Sequence, residues 1–103
     1  MAYELHYWPS LQGRGEFVRL ALEEAGIDYA DVARGPHGVD KLMAALKEGP
    51  TPPFAPPFLR AGDLTIGQTS TILMFLGERH GLAPQDAAGR LWTQQLQLTI
   101  ADV

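Results

Sequence analysis

The sequence predicts an α/β domain of strand–helix–strand, helix, strand–strand–helix order, closed by one further helix. Three observations lead there. Tyr3–Trp8 alternates Tyr3, Leu5 and Tyr7 with Glu4, His6 and Trp8, the period of two of a strand. Val39, Leu42, Met43 and Leu46 fall at the i, i+3, i+4, i+7 spacing of an amphipathic helix. Thr51–Ser70 then carries Pro52-Pro53 and Pro56-Pro57, two short apolar runs around Ala61-Gly62-Asp63, and Gln68-Thr69-Ser70 opening another helical pattern.

The elements follow in order. Aromatic residues enrich the first strand, which Pro9 ends, and Ser10-Leu11-Gln12-Gly13-Arg14-Gly15 reads as a loop. From Glu16, the residues Phe17, Leu20, Ala21 and Glu24 share one helical stripe with Val18, Leu22 and Ala25 beside it, the wide apolar arc of a helix pressed on a sheet. Glu16 suits the positive end of the helix dipole, and Gly26 suits a C-terminal cap. Ile27–Arg34 reads as a second strand with Tyr29, Ala30 and Val32 as its apolar members, completing a unit whose crossover is nearly always right-handed. Gly35-Pro36-His37-Gly38 is a loop, and Gly49-Pro50 stops the helix that follows.

Proline has no N–H and cannot sit inside a paired strand, so Pro56-Pro57 stops just short of the next one. The tertiary amide between them brings the cis form within about 0.5–1 kcal/mol of trans. A cis proline there leaves neighbouring backbone groups unpaired and facing outward. Phe58–Arg60 and Leu64–Ile66 form a hairpin across Ala61-Gly62-Asp63. Thr69 or Ser70 caps a helix that packs Ile72, Leu73, Phe75 and Leu76 and ends at Gly81. Ala83-Pro84 is a linker. Residues 87–103 are helical, and Leu91, Trp92, Leu96, Leu98, Ile100 and Val103 occupy more than one face, which expects burial on several sides.

Bulk properties narrow the function. A chain of 103 residues suffices for one compact domain with a core. The hydrophobic fraction of 46% and charged fraction of 19% fit a soluble globular protein. A net charge of −4 disfavours non-specific binding to nucleic acid or an anionic membrane. No apolar stretch approaches the roughly 18–20 residues of a membrane span. The N-terminus lacks the layout of a signal peptide, so a cytoplasmic location follows by elimination. Without cysteine, disulfides, thiolate metal sites, cysteine nucleophiles and dithiol redox chemistry are excluded. His6, His37 and His80 have no partner spacing that suggests a metal site.

With these elements in place, the chain resembles the thioredoxin fold, βαβαββα with a cis-proline candidate before the third strand, followed by one extra helix. In detail it is similar to the N-terminal domain of cytosolic glutathione transferases, of a bacterial-type, Tyr- or Ser-dependent kind. The resemblance rests on Tyr7 followed by Trp8-Pro9, Gly13-Arg14-Gly15-Glu16 opening the first helix, Pro57 before the third strand, and Gly62-Asp63-Leu64-Thr65-Ile66-Gly67-Gln68-Thr69. It implies a glutathione-binding domain over residues 1–82. Residues 83–103 then form a linker and the first helix of a helical domain that is otherwise absent.

The resemblance implies glutathione as co-substrate, a small electrophile as second substrate, no metal, and a homodimer or partner chain through the last helix. The γ-glutamyl carboxylate goes to Gln68-Thr69, where a helix N-terminus offers free N–H groups; Thr69 as a simple cap is the alternative and is compatible with it. The hydroxyl that holds the glutathione thiolate is Tyr7, or Ser10 in the loop beyond, with Tyr7 as a core aromatic the remaining reading. Arg14 adds positive potential near the sulfur, or pairs on the surface with Glu16 or another acid. Lys47, with Lys41 second, stands where a lysine grips the glycyl carboxylate, unless each is a solvated helix charge; His37 could also approach it. Pro57 shapes the backbone that pairs with the cysteinyl unit, but the residue before it is Pro56, which has no N–H to donate. The family's tryptophan in the middle helix has no counterpart between Trp8 and Trp92. Asp102 lies about one turn from where a partner's acid meets the γ-glutamyl amine. The implied function is conjugation of glutathione to an electrophile in the intact enzyme, the 103 residues alone being inactive. The alternative is a non-catalytic binding or assembly module of the same fold. A proline-rich ligand for another protein is a third reading, disfavoured because Phe58 and Leu59 look like core strand residues.

Overall fold

A computed structural model describes residues 2–102. Its elements are β1 (Tyr3–His6), α1 (Gly13–Glu24), β2 (Tyr29–Asp31), α2 (Gly38–Ala45), β3 (Phe58–Ala61), β4 (Leu64–Gly67), α3 (Thr69–His80) and α4 (Ala87–Asp102). The apolar position expected at Val103 lies outside the described residues.

The strands form one sheet of order β2-β1-β3-β4. β1 and β2 run parallel, and β1–β3 and β3–β4 are antiparallel. Strand alternation divides the core between the two faces. Tyr3 and Leu5 of β1 and Leu59 and Ala61 of β3 meet Val18 and Leu22 of α1 and Ile72 and Leu76 of α3. On the other face Phe58 packs with Ala33, Leu42 and Ala45, flanked by Trp8 and Leu46. Each fully buried Leu, Ile or Val contributes about 1.5–3 kcal/mol, so the α1/α3 face carries most of the stability. The Pro56–Pro57 peptide is cis, and Pro57 is buried immediately ahead of β3.

Several elements differ from the sequence reading. α1 begins at Gly13 instead of Glu16, and it buries Gly15, Val18, Arg19 and Leu22 while Phe17 and Leu20 face outward. The buried stripe is the one that places glycine against the sheet and gives the arginine carboxylate partners. The second strand covers only Tyr29–Asp31, because Val32–Arg34 closes into a 3-10 turn on which α2 packs. Gly38 lies against the carbonyls of Val32 and Ala33, where a Cβ would overlap backbone, which fixes the start of α2. α2 buries Gly38, Leu42 and Ala45, leaving Val39 and Met43 exposed. The hairpin pairs through Ala61↔Leu64, so its turn is Gly62-Asp63 alone, with Gly62 at φ 62°.

Neither Thr69 nor Ser70 caps α3. Thr69 is its first helical residue, and the cap position belongs to Gln68, at φ 68° and with no side-chain cap bond. At the other end Gly81 adopts the left-handed cap conformation, as expected. No residue of α4 is buried, and Leu91, Trp92, Leu96, Leu98 and Ile100 are exposed. No helix among the described residues is long and apolar enough to cross a membrane.

His6 is 3% exposed and stacks on Phe58, ring centroids 4.6 Å apart. Burial holds its imidazole below the ordinary value of 6.5, and Glu4, 3.7 Å away, only partly opposes this. The unfolded chain therefore takes up a proton that the native state resists. Stability is complete above the unfolded value and declines as pH falls through 6.5 toward the native value. Urea midpoints of the wild type should drop between about pH 7.5 and about pH 5.5 by more than those of His6→Phe. Equal drops would show that the imidazole carries no such linkage.

Candidate functional site

The sheet register assembles the site. His6 pairs with Phe58, and Phe58 pairs with Gly67, so these residues form the last row of the ladder on β1, β3 and β4. The next residue on each strand's axis is Tyr7, Pro57 and Gln68. Adjacent strands lie about 4.8 Å apart, which sets the three side by side at one sheet end although they are distant in sequence.

Tyr7 is 8% exposed. Its ring lies against Gly13 and Gly15 of α1, where a methyl group at either position would overlap the ring or the hydroxyl. The Gly13-Arg14-Gly15 start of α1 is thus the seat of Tyr7. On its flank is the Arg19 guanidinium, 5.8 Å from the ring centroid. Arg19 is 4% exposed and donates to Asp31 Oδ2 at 2.6 Å, Glu16 Oε1 at 3.2 Å and the Leu11 carbonyl at 3.3 Å. Burial works against its charge, but the bonds to Asp31 and Glu16 outweigh it and hold the guanidinium above its ordinary value.

Gln68 is exposed and adopts a left-handed φ that side chains rarely take, a strain of about 1–3 kcal/mol of the kind concentrated at ligand sites. After it comes the N-terminus of α3, with free N–H groups and positive potential. The Thr69 hydroxyl is buried there with no hydrogen-bond partner. Beside this row lies a cleft of about 590 Å³ between α1, the start of α3 and α4. Its walls include Arg14, Phe17, Thr69, Leu73 and Ile100. Phe17 faces this cleft and not the core, which accounts for its outward stripe. α4 is tethered across it by Ser70 Oγ to the Gln97 carbonyl and by Arg14 Nη2 to the Ala101 carbonyl, both at 3.3 Å.

The structure thus brings together Tyr7, Pro57, Gln68 and Thr69, with Pro56 one residue behind. Arg14 borders the cleft, and its surface pairing with Glu16 does not form, because Glu16 bonds Arg19. Ser10 is exposed in the turn after β1. Lys47 is exposed after α2, Lys41 lines a groove on the opposite face of the sheet, and neither borders the cleft. His37 is exposed at the α2 cap position with φ 54°, and Asp102 is exposed at the end of α4. No group of three or more His, Cys, Asp or Glu placed to hold a metal occurs among the described residues. Sequence reading missed Arg19; its signal was a charge inside the buried stripe, three residues after Glu16 and followed by Asp31 on the neighbouring strand.

No family model matches the chain. A glutathione S-transferase of Plasmodium falciparum is 24% identical over 99 residues, covering 94% of this chain and 47% of that protein. A Nu-class glutathione S-transferase from Haemonchus contortus is 27% identical with a TM-score of 0.67, covering 98% of this chain and 45% of the other. A monomeric glutathione S-transferase from the hookworm Necator americanus is 22% identical with a TM-score of 0.77, covering 99% and 47%. The fold is the thioredoxin-like α/β fold of these proteins. Sequence and structural neighbours together support a relationship to the glutathione S-transferase family, and the chain spans about half the length of the relatives it matches.

Removing one partner from a buried charged cluster strands the other, at a cost of about 3–5 kcal/mol. Arg19→Met should lower the unfolding free energy by that amount. Arg19→Met/Asp31→Asn should lose at least about 1 kcal/mol less than the sum of the single changes. Additive losses in denaturant unfolding would contradict a coupled pair.

Proposed function

We propose that the chain is the glutathione-binding part of a glutathione transferase that conjugates the glutathione thiolate to an electrophilic small molecule. The observation that carries this reading is the row Tyr7, Pro57, Gln68 at one sheet end. It offers a hydroxyl, an outward backbone edge and a helix N-terminus in the order that a thiol, a peptide backbone and a terminal carboxylate require. The γ-glutamyl carboxylate sits on the first N–H groups of α3, with the unpartnered Thr69 hydroxyl as a further donor. Tyr7 donates to the sulfur and stabilises the thiolate, so more nucleophile exists near neutral pH. Burial of Tyr7 in its glycine seat supports it over the exposed Ser10. The apolar cleft beside the row takes the electrophile, and the rate gain comes from holding it next to a preformed nucleophile. Lys47 remains the proposed cation for the glycyl carboxylate. α4, whose residues Leu91, Trp92, Leu96, Leu98 and Ile100 are exposed, is the proposed contact with a second copy or partner chain, and the location is proposed to be cytoplasmic.

Pro56 sets the affinity. Its carbonyl can accept from the cysteinyl amide, but it has no N–H to return. One missing hydrogen bond of about 0.5–1.5 kcal/mol weakens binding roughly two- to tenfold. The same feature favours a second reading, a non-catalytic binding or assembly module of this fold.

Calorimetric titration of glutathione separates the two. Gln68→Ala should weaken binding by about tenfold, and Pro56→Val should tighten it about two- to tenfold. Tyr7→Phe should leave binding nearly unchanged but move the ultraviolet thiolate signal of bound glutathione to higher pH. No binding at millimolar glutathione, or a thiolate signal lost in Ser10→Ala and kept in Tyr7→Phe, would overturn these assignments.

A further inference from the structure

A second cleft lies on the opposite face of the sheet, independent of the site above. It has a volume of about 490 Å³, within the range of roughly 300–1,000 Å³ typical of small-molecule sites. It lies between β1, the 3-10 turn after β2 and α2, which packs on that turn and on Phe58 of β3. Its polar lining is Glu4 and His6 of β1, Asp31 of β2, Lys41 of α2 and Glu48 just beyond α2, beside alanine and valine; Asp31 is already held by Arg19.

The hydrogen bonding in this groove is incomplete. His6 is buried, stacked on Phe58, and lines the groove, yet both ring nitrogens lack a hydrogen-bond partner. The Glu4 carboxylate, 3.7 Å from Nε2, is too far for a hydrogen bond. Arg60 stands opposite Glu4 in the ladder but is drawn to Glu48 at 3.1 Å, so it does not neutralise Glu4. Lys41 has no ion-pair partner among the described residues. One unpaired carboxylate and one unpaired ammonium thus flank a neutral imidazole that offers one donor and one acceptor.

We propose that this groove binds a small zwitterion, its ammonium held between Glu4 and the acceptor nitrogen of His6 and its carboxylate drawn to Lys41. A ligand with a single charge would meet one of the two unpaired groups and leave the other unmatched. A ligand with both satisfies the carboxylate, the imidazole and the lysine together.

The test is a titration of the isotope-labelled full chain, followed by backbone amide resonances, with glycine, β-alanine and 4-aminobutyrate as probes of increasing charge separation. At least one should give saturable shifts at Glu4, His6 and Lys41 with a Kd of about 1–10 mM. Acetate with methylammonium at equal concentration should not. Glu4→Gln and Lys41→Met, both at exposed positions, should each weaken binding about tenfold and leave shifts of Gln68 and Thr69 by glutathione unchanged. Linear, non-saturating shifts across the series would overturn the proposal. So would equal shifts from the single-charge pair, shifts centred on Gln68 and Thr69, or wild-type binding in both variants.

Discussion

A guanidinium taken out of water needs charged and polar partners, and Arg19 finds them for Nε and Nη1 in three parts of the chain, while Nη2 is buried without one. Asp31 comes from the end of β2, Glu16 from the first turn of α1, and the Leu11 carbonyl from the loop between β1 and α1. These bonds fix the loop that leaves Tyr7 and the helix that seats it. The guanidinium also lies beside the Tyr7 ring. The position of the hydroxyl proposed to hold sulfur therefore depends on an ion cluster, and not only on the apolar core.

The second constraint is register. A sheet side chain changes face with every one-residue slip, so pairing errors are strongly penalised where both faces are packed. Leu5 and Leu59 must face α1 and α3, while His6 and Phe58 must face α2. That requirement aligns Tyr7, Pro57 and Gln68 at one end of the sheet. Beyond Gly67 the chain enters α3 at once, and Gln68 takes a left-handed conformation in making that turn. The helix N-terminus is thereby left without a side-chain cap and open to an anion.

The sequence made much of this legible and hid the rest for physical reasons. Alternation from Tyr3, glycine in the hairpin turn and Gly81 after α3 are local signals, and they were read correctly, except that β1 stops at His6, two residues short of Trp8. The buried stripe of α1 was not, because Phe17 and Leu20 are as apolar as Val18 and Leu22; which pair turns inward is decided by Gly15 against Tyr7 and by the distant Asp31. The second strand was overextended because Val32 has strand propensity, whereas packing of Gly38 on its carbonyl favours a turn. Thr69 looked like a cap, since Ser and Thr before an apolar run usually are. The sharp entry from β4 moved the cap position to Gln68 instead. Of the residues proposed for the site, Tyr7, Pro57 and Gln68 lie together at one sheet end because strand register is legible in local pattern, whereas Lys41 and Lys47 do not border the cleft.

These constraints converge on one central claim, that the row Tyr7, Pro57, Gln68 is a glutathione site. A crystal structure of the protein grown with glutathione tests it most directly. The account predicts the sulfur within hydrogen-bond distance of the Tyr7 hydroxyl and the γ-glutamyl carboxylate on the amides that open α3. It also predicts one backbone bond to the Pro56 carbonyl with none returned. Glutathione bound away from this row, or bound with its sulfur on Ser10, would contradict it.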